Sequence, residues 1–108
     1  MRIKNEGPNA CYVRVRAVFS DSDVGQYVHV DWNTEDWIYN KEDEFYYFTS
    51  CVSEGEHSEY LFTTLKVDPM IPEHFKKDVE LIVYAESYQA DGYNHYQEAW
   101  MDYQKNID

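Results

Sequence analysis

The four histidines are the residues of this sequence best suited to bind a transition metal, so their spacing is the first test of a metal-dependent activity. They are His29, His57, His74 and His95. A zinc peptidase motif places two histidines four residues apart on one helix, with a glutamate between them as the base. No pair in this chain has that spacing. The sequence favours solvated or half-buried imidazoles, and a zinc site assembled from distant residues is the minor alternative.

The two cysteines, Cys11 and Cys51, lie 40 positions apart. In a secreted domain such a pair can form a disulfide, which would stabilise the fold by roughly 3–4 kcal/mol through the closed loop. Cys11 falls on the apolar side of an alternating segment, where a thiol often serves as a small apolar side chain. We therefore expect free thiols, and no flanking sequence indicates a nucleophilic cysteine.

Carboxylates are abundant but lack a catalytic or metal-binding pattern. Asp21, Asp23 and Asp31 offer oxygen ligands for calcium, yet the twelve-residue loop with its glycine and terminal glutamate is missing. A pair of carboxylates for glycoside cleavage cannot be singled out in a chain with 21 acidic residues among 108. We expect solvated acidic loops, no cofactor and no catalytic residue.

Aromatic side chains make up 18% of the chain, which is enough to build a surface that stacks on sugar rings. The candidates for such a platform are Trp32, Trp37, Tyr46 and Tyr88. The alternative is that both faces of a small β-sheet absorb these rings as core and cross-strand pairs. An acidic chain this rich in aromatics is also expected to fold, because disordered acidic chains are poor in them.

The net charge of −12 limits the partners that the chain can bind. Nucleic-acid readers and proteins that bind anionic lipid surfaces need basic patches, so we expect neither partner. No apolar run approaches the ~20 residues of a membrane-spanning helix, so membrane insertion is not expected.

The elements that must position these residues are mainly β-strands. Segment 10–19 alternates with period two, with Val13 and Val15 on one face and Tyr12, Arg14 and Arg16 on the other. Residues 79–88 form a second strong strand, whose glutamates would pair with Arg14 and Arg16 if the two strands are neighbours. Further strands are predicted at 2–5, 27–32, 37–39, 44–49 and 61–67, and the polar residues 40–43 indicate a hairpin.

The period changes near the C-terminus. Tyr93, Tyr96, Trp100 and Tyr103 fall on one stripe of a helix, and Asp91 is placed to cap its start. Short strands at roughly ten-residue spacing without βαβ alternation predict one domain over residues 1–108. We expect an antiparallel β-sandwich, jelly-roll or immunoglobulin-like, with one C-terminal α-helix.

A series of short motifs resembles a known family. The segments 4–7 (KNEG) and 10–16 (ACYVRVR) resemble the SipW-type exported proteins of Gram-positive bacteria, the TasA/camelysin-like biofilm matrix family. Segments 33–37, 45–48, 61–63 and 82–90 match the same group in the same order, as do 89–92 and 98–100. The matches cover most of the chain from residue 2 to about 101.

The resemblance implies a secreted or cell-surface protein with a β-sandwich fold and a role in extracellular matrix fibres. Some members are labelled metallo-endopeptidases, but the missing zinc signature argues against carrying that activity over. Members normally begin with a signal peptide and one or two strands before the KNxG motif, which here starts at residue 4. We therefore expect that the native N-terminal strands are absent and that one sheet edge is open.

These observations lead to one functional hypothesis with two alternatives. The leading hypothesis is a non-enzymatic matrix or surface subunit that associates with itself or with other matrix proteins, forming fibres by strand donation. The residues expected to flank the assembly edge are Arg2, Ile3, Lys4, Asn5, Tyr12, Arg14 and Arg16. The alternatives are a camelysin-like metallo-endopeptidase and a carbohydrate-binding module.

Overall fold

The computed structural model describes residues 1–107 of the chain, with side chains for residues 1–106. The protein is mainly β, with antiparallel sheets and one long C-terminal helix, as the sequence predicts. The elements in chain order are β1 (Cys11–Phe19), α1 (Ser22–Gly25), β2 (Val28–Val30), β3 (Trp37–Asn40), β4 (Phe45–Phe48), β5 (Leu65–Val67), a 3-10 helix (Glu73–Asp78), β6 (Leu81–Gln89) and α2 (Tyr96–Ile107).

The strands form a four-stranded sheet in the order β3-β4-β1-β6 and a two-stranded sheet of β2 and β5. The two long strands β1 and β6 pair over their full length, from Cys11 opposite Gln89 to Phe19 opposite Leu81. Strands β3 and β4 form the predicted hairpin. Segments 10–19 and 79–88 are thus neighbours, which the alternation alone left open.

Each face of the four-stranded sheet carries a hydrophobic cluster. On one face helix α2 packs on Tyr12, Phe45 and Tyr47, and it contributes Ala99 and Trp100 to that cluster. On the other face the cluster is formed by Val13, Val15, Trp37, Phe48, Val52 and Leu61. A third cluster of Val24, Val28 and Ile71 lies near the short sheet. Helix α2 covers the polar side of β1, so both faces of β1 are buried along residues 12–15.

The strand predicted at 61–67 is shorter than expected, because only Leu65–Val67 are extended and paired. The carboxylate of Asp31 accepts the backbone N–H groups of Thr63 and Thr64 at 2.9 and 2.8 Å and the Thr63 hydroxyl at 2.6 Å. These bonds accompany a local bend at Thr63 in place of a longer sheet ladder. Leu61 is meanwhile fully buried in the core.

The Asp31 contacts give the protein a specific acid sensitivity. The Thr63 hydroxyl and the two backbone N–H groups lower the pKa of Asp31 from 3.8 to about 2. Because the folded pKa is depressed, this stabilisation is present above about pH 4 and is lost as the pH falls toward 2. We expect Asp31→Asn to remove that part of the pH dependence, as measured by urea unfolding from pH 5 to 2. Asp91→Asn, at an exposed turn position, serves as the control and should unfold as the wild type does.

The start of the C-terminal helix differs from the sequence prediction. Asp91 does not cap it, because the helix begins at Tyr96. Residues 91 and 92 form a turn in which Gly92 has a φ of 90°, a left-handed conformation that favours glycine. Tyr96, Trp100 and Tyr103 still share one helical stripe, while Tyr93 precedes the helix and packs against the same cluster.

Candidate functional site: the free edge of strand β6

The structure does not place Tyr12, Arg14 and Arg16 at an open edge, so that part of the predicted assembly edge is wrong. These residues lie on β1, which has β6 on one side and β4 on the other. Near its start, β1 also exchanges two backbone hydrogen bonds with Val52 through Cys11. The alternating pattern identifies a strand and its faces, but it carries no information about which strands flank it.

The N-terminal part of the predicted edge, residues 2–5, lies beside residues 54–61. Lys4 forms a single antiparallel bridge with His57, so this segment is not the full strand that we expected. The Asn5 N–H donates to the Glu56 carbonyl at 2.9 Å, and the Ser58 N–H donates to Ile3 at 2.8 Å. These bonds occupy much of the backbone of the segment in the folded chain.

The long sheet has two terminal strands, β3 and β6, and β6 is the longer free edge, with nine residues against four in β3. At the two ends of the β1–β6 ladder, Ala90 donates to Ala10 at 3.1 Å and Ser20 donates to Glu80 at 3.0 Å. Hydrogen-bonded pairs alternate with non-bonded pairs in an antiparallel ladder. The even-numbered residues of β6 therefore face β1, and the odd-numbered ones direct N–H and C=O away from it.

Five residues carry these outward backbone groups: Leu81, Val83, Ala85, Ser87 and Gln89. Within residues 1–107, no strand pairs with this side of β6. The edge is also apolar, since Ile82, Val83 and Tyr84 are 47%, 40% and 55% exposed. Its pairing with β1 is continuous and it contains no proline, so two usual means of protecting an edge strand are missing.

The single charged side chain of β6, Glu86, is neutralised by Arg14 from β1. Arg14 donates through Nη2 and Nε to Glu86 Oε1 at 2.8 and 3.0 Å, and the Tyr103 hydroxyl donates to Oε2 at 2.6 Å. The side chains of the ion pair are only 8% and 16% exposed. This confirms the predicted pairing for Arg14, whereas Arg16 donates to the Asp43 carbonyl at 2.6 Å.

Arg14 is held between aromatic rings of β4 and α2. Its guanidinium carbon lies 4.1 Å from the ring centre of Phe45 and 4.4 Å from that of Trp100. It also donates to the Tyr47 hydroxyl at 3.0 Å, and that hydroxyl in turn donates to Asp43. Burial and the hydrogen bond to Asp43 raise the pKa of Tyr47 to about 12. This network fixes α2 over the sheet and holds Glu86 in place at the edge.

Two cavities adjoin the sheet. One, of about 440 Å³, lies between the N-terminal segment and the side of β6 that carries Ala85 and Ser87. The other, of about 990 Å³, opens between the β3–β4 hairpin and α2, with Ile38, Tyr96 and Met101 among its lining residues and Arg14 at its inner side. The first cavity borders β6 directly, so there is space beside the small side chains of Ala85 and Ser87.

The four residues of the expected sugar-binding platform do not form one surface. Trp37 is only 1% exposed and donates its indole N–H to Glu59, while Tyr88 lies on the opposite face of the sheet, against α2. Trp32 and Tyr46 are stacked with ring centres 4.5 Å apart, so each covers a face of the other. A sugar ring needs exposed aromatic faces, and this arrangement provides few.

The candidate metal ligands are dispersed. In the part of the chain that the structure describes, no three His, Cys, Asp or Glu side chains are grouped so as to hold a metal ion. Asp21, one of the candidate calcium ligands, instead accepts the Asp23 N–H and caps α1. Cys11 and Cys51 are free thiols, and burial, followed by the nearby Cys51, raises the pKa of Cys11.

Sequence reasoning missed β6 as a free edge of the sheet, although the uninterrupted apolar run at residues 81–84 was a signal. A comparison of the chain with family models, curated proteins and solved structures gives no match. Among residues 1–107, no helix is both long and apolar enough to cross a membrane.

Proposed function

We propose that this chain is a non-enzymatic subunit of an extracellular or cell-surface assembly, and that it binds an extended strand of another chain along β6. The observation that carries the proposal is the apolar, unpaired edge of nine residues, Leu81–Gln89. Strand addition to such an edge obtains its affinity from backbone hydrogen bonds and its specificity from alternate side chains. Export to the cell surface rests on the family resemblance of the KNxG and ACYVRVR segments.

The two sheets have four strands and two strands, and this difference supports a β-sandwich in which the second layer is incomplete. The cluster of Val13, Val15 and Trp37 lies on one face of the long sheet and includes Val52 and Leu61 from the opposing segments. The same face of β6 borders the 440 Å³ cavity instead of a packed layer. We propose that the facing layer is incomplete at this point, which leaves β6 accessible to a strand of another chain.

Because the net charge is −12, we expect association of the chain to depend on pH and on salt concentration. At neutral pH and low ionic strength, like charges keep copies apart, while salt shortens the screening length to about 8 Å at physiological strength. Acidification toward the isoelectric point of about 4.5 reduces the charge itself. Assembly is therefore expected to increase under either condition.

A proline at position 85 tests the edge without disturbing the rest of the fold. The Ala85 N–H points away from β1, so Ala85→Pro removes a donor needed by an added strand but none used inside the sheet. We expect Ala85→Pro to abolish the rise in light scattering that salt or acidification produces in the wild type. At this exposed position Ala85→Ser retains the N–H and a small side chain, so it serves as the matched control and should still assemble.

Circular dichroism of each variant checks that the monomer remains folded. Assembly of folded Ala85→Pro at the wild-type level would rule out pairing at β6. A wild-type chain that stays monomeric at high salt and near pH 4.5 would rule out the proposed function as a whole.

A further inference from the structure

We infer that the strand bound by β6 is the β6 of a second copy, running antiparallel about a two-fold axis through Ala85. This inference rests on the proposed function, because it names the partner for the same edge. It joins two four-stranded sheets into one continuous sheet of eight strands. The inference follows from three properties of the edge: its hydrogen-bond pattern, its charge and its side chains.

The outward hydrogen-bonding groups are arranged symmetrically about Ala85. They belong to residues 81, 83, 85, 87 and 89, so Ala85 is the middle one of five. A two-fold axis there places Leu81 opposite Gln89 of the second copy, Val83 opposite Ser87, and Ala85 opposite itself. Every one of these positions has its N–H and C=O directed outward. Each opposed pair exchanges two hydrogen bonds, which gives about ten in the full pairing.

The charge of the edge favours a like partner over a basic one. Glu86 is the only Asp, Glu, Lys or Arg between residues 81 and 89, and its carboxylate is paired with Arg14. An edge built to bind a basic strand would present free carboxylates. In a chain with a net charge of −12, this neutral stretch is instead a place where two copies can approach without direct repulsion.

The side chains of the edge are compatible with the same register. On the α2 side, Ile82 would oppose Tyr88 of the second copy, a pairing of a β-branched and an aromatic residue that stabilises antiparallel strands. Exposed Tyr84 would oppose Glu86 of the second copy. On the other side, the small residues Ala85 and Ser87 allow close approach. The pairing thereby reduces the solvent-exposed apolar area of Ile82, Val83 and Tyr84 in both copies.

This pairing closes on itself. An isologous interface uses the same patch on both copies, so neither β6 edge remains for a third chain. The expected product is a dimer at this edge. Growth into larger assemblies requires a different surface.

Charge exchange at positions 83 and 87 tests the register, because the two positions oppose each other only between copies. Val83→Glu/Ser87→Glu places two pairs of glutamates directly across the interface, whereas Val83→Lys/Ser87→Glu places two pairs of opposite charge there. By sedimentation velocity in 0.5 M NaCl, we expect a wild-type dimer and a dissociation constant raised at least about tenfold by the double glutamate. The Lys/Glu variant should recover the dimer.

A matched control separates the local effect from the change in net charge. Ser53→Glu/Met70→Glu adds the same two charges at exposed positions away from β6, and it should dimerise as the wild type does. Assemblies larger than a dimer that Ala85→Pro abolishes would overturn the two-fold pairing and leave strand addition at β6 in place. A dimer that is indifferent to all β6 variants, or a monomer throughout, would overturn both.

Discussion

Replacing Arg14 by alanine is expected to lower the free energy of unfolding by about 3–5 kcal/mol, the range for breaking a buried ion pair by removing one partner. Glu86 is 16% exposed and would lose both donors of the guanidinium while remaining beneath α2. The Tyr47 hydroxyl would lose its donor as well. The rings of Phe45 and Trp100, which lie on the guanidinium, would border a cavity.

Arg16→Ala is the matched comparison, because Arg16 also lies on β1 and over the ring of Phe45, at 4.4 Å. It makes a hydrogen bond to the Asp43 carbonyl and no ion pair among the described residues. Its removal should cost about 1–2 kcal/mol. Urea unfolding of both variants at pH 7 measures the difference. Equal losses would show that the ion pair of Arg14 with Glu86 adds nothing to stability.

The double replacement Arg14→Leu/Glu86→Leu distinguishes the cost of an unpaired charge from the worth of the pair. With both charged groups removed, no carboxylate is left without a partner, so much of the stability lost in Arg14→Ala should return. A double variant as unstable as Arg14→Ala would indicate that the pair itself is strongly stabilising.

The local elements of the fold were predictable because they depend on neighbours in sequence. The period-two alternation of residues 10–19 identified β1, and the polar residues 40–43 identified the β3–β4 hairpin. The pairing of Arg14 with Glu86 was also predictable, on the condition that the two strands are adjacent. The strand and the hairpin follow from local sequence patterns alone, whereas the ion pair follows from charge only once β1 and β6 are known to be adjacent.

The sheet order was not predictable, and the error in the candidate site follows from that. The sequence places Tyr12 and Arg14 on the polar side of β1, and α2 covers that side and buries both. A free edge belongs to a strand that is paired on one side only, and which strands these are is a property of long-range pairing. The burial of Trp37 and the partial exposure of Trp32 likewise depend on tertiary contacts that type and spacing do not encode.

Local competition for backbone groups explains the remaining differences. Asp31 binds the N–H groups of Thr63 and Thr64, and a sequence pattern cannot show that a side chain 32 residues away will displace a strand partner. Gly92 adopts a left-handed conformation in the turn before α2, which begins only at Tyr96, so Asp91 lies outside the helix. In both places a specific hydrogen bond or dihedral angle overrides a general preference.

Trp100→Ala is expected to lower the free energy of unfolding by about 3–5 kcal/mol and to release α2 from the sheet. Trp100 is 5% exposed and lies at the centre of the contacts between α2 and the sheet, with ring centres 6.0 Å from Tyr47 and 6.3 Å from Tyr88. Hydrogen exchange should show the amides of α2 losing protection before those of β1, because the helix depends on this contact and β1 is paired on both sides.

A comparison of phenylalanine substitutions at the two buried tryptophans separates ring packing from hydrogen bonding. The buried indole N–H of Trp100 has no hydrogen-bond partner among residues 1–107, whereas that of Trp37 donates to the Glu59 carbonyl at 3.2 Å. Both substitutions remove similar ring area, but only Trp37→Phe leaves an acceptor without its donor. Trp37→Phe should therefore cost about 1 kcal/mol more than Trp100→Phe in urea unfolding. Equal costs would mean that the Trp37 hydrogen bond contributes nothing to stability beyond what water supplies in the unfolded chain.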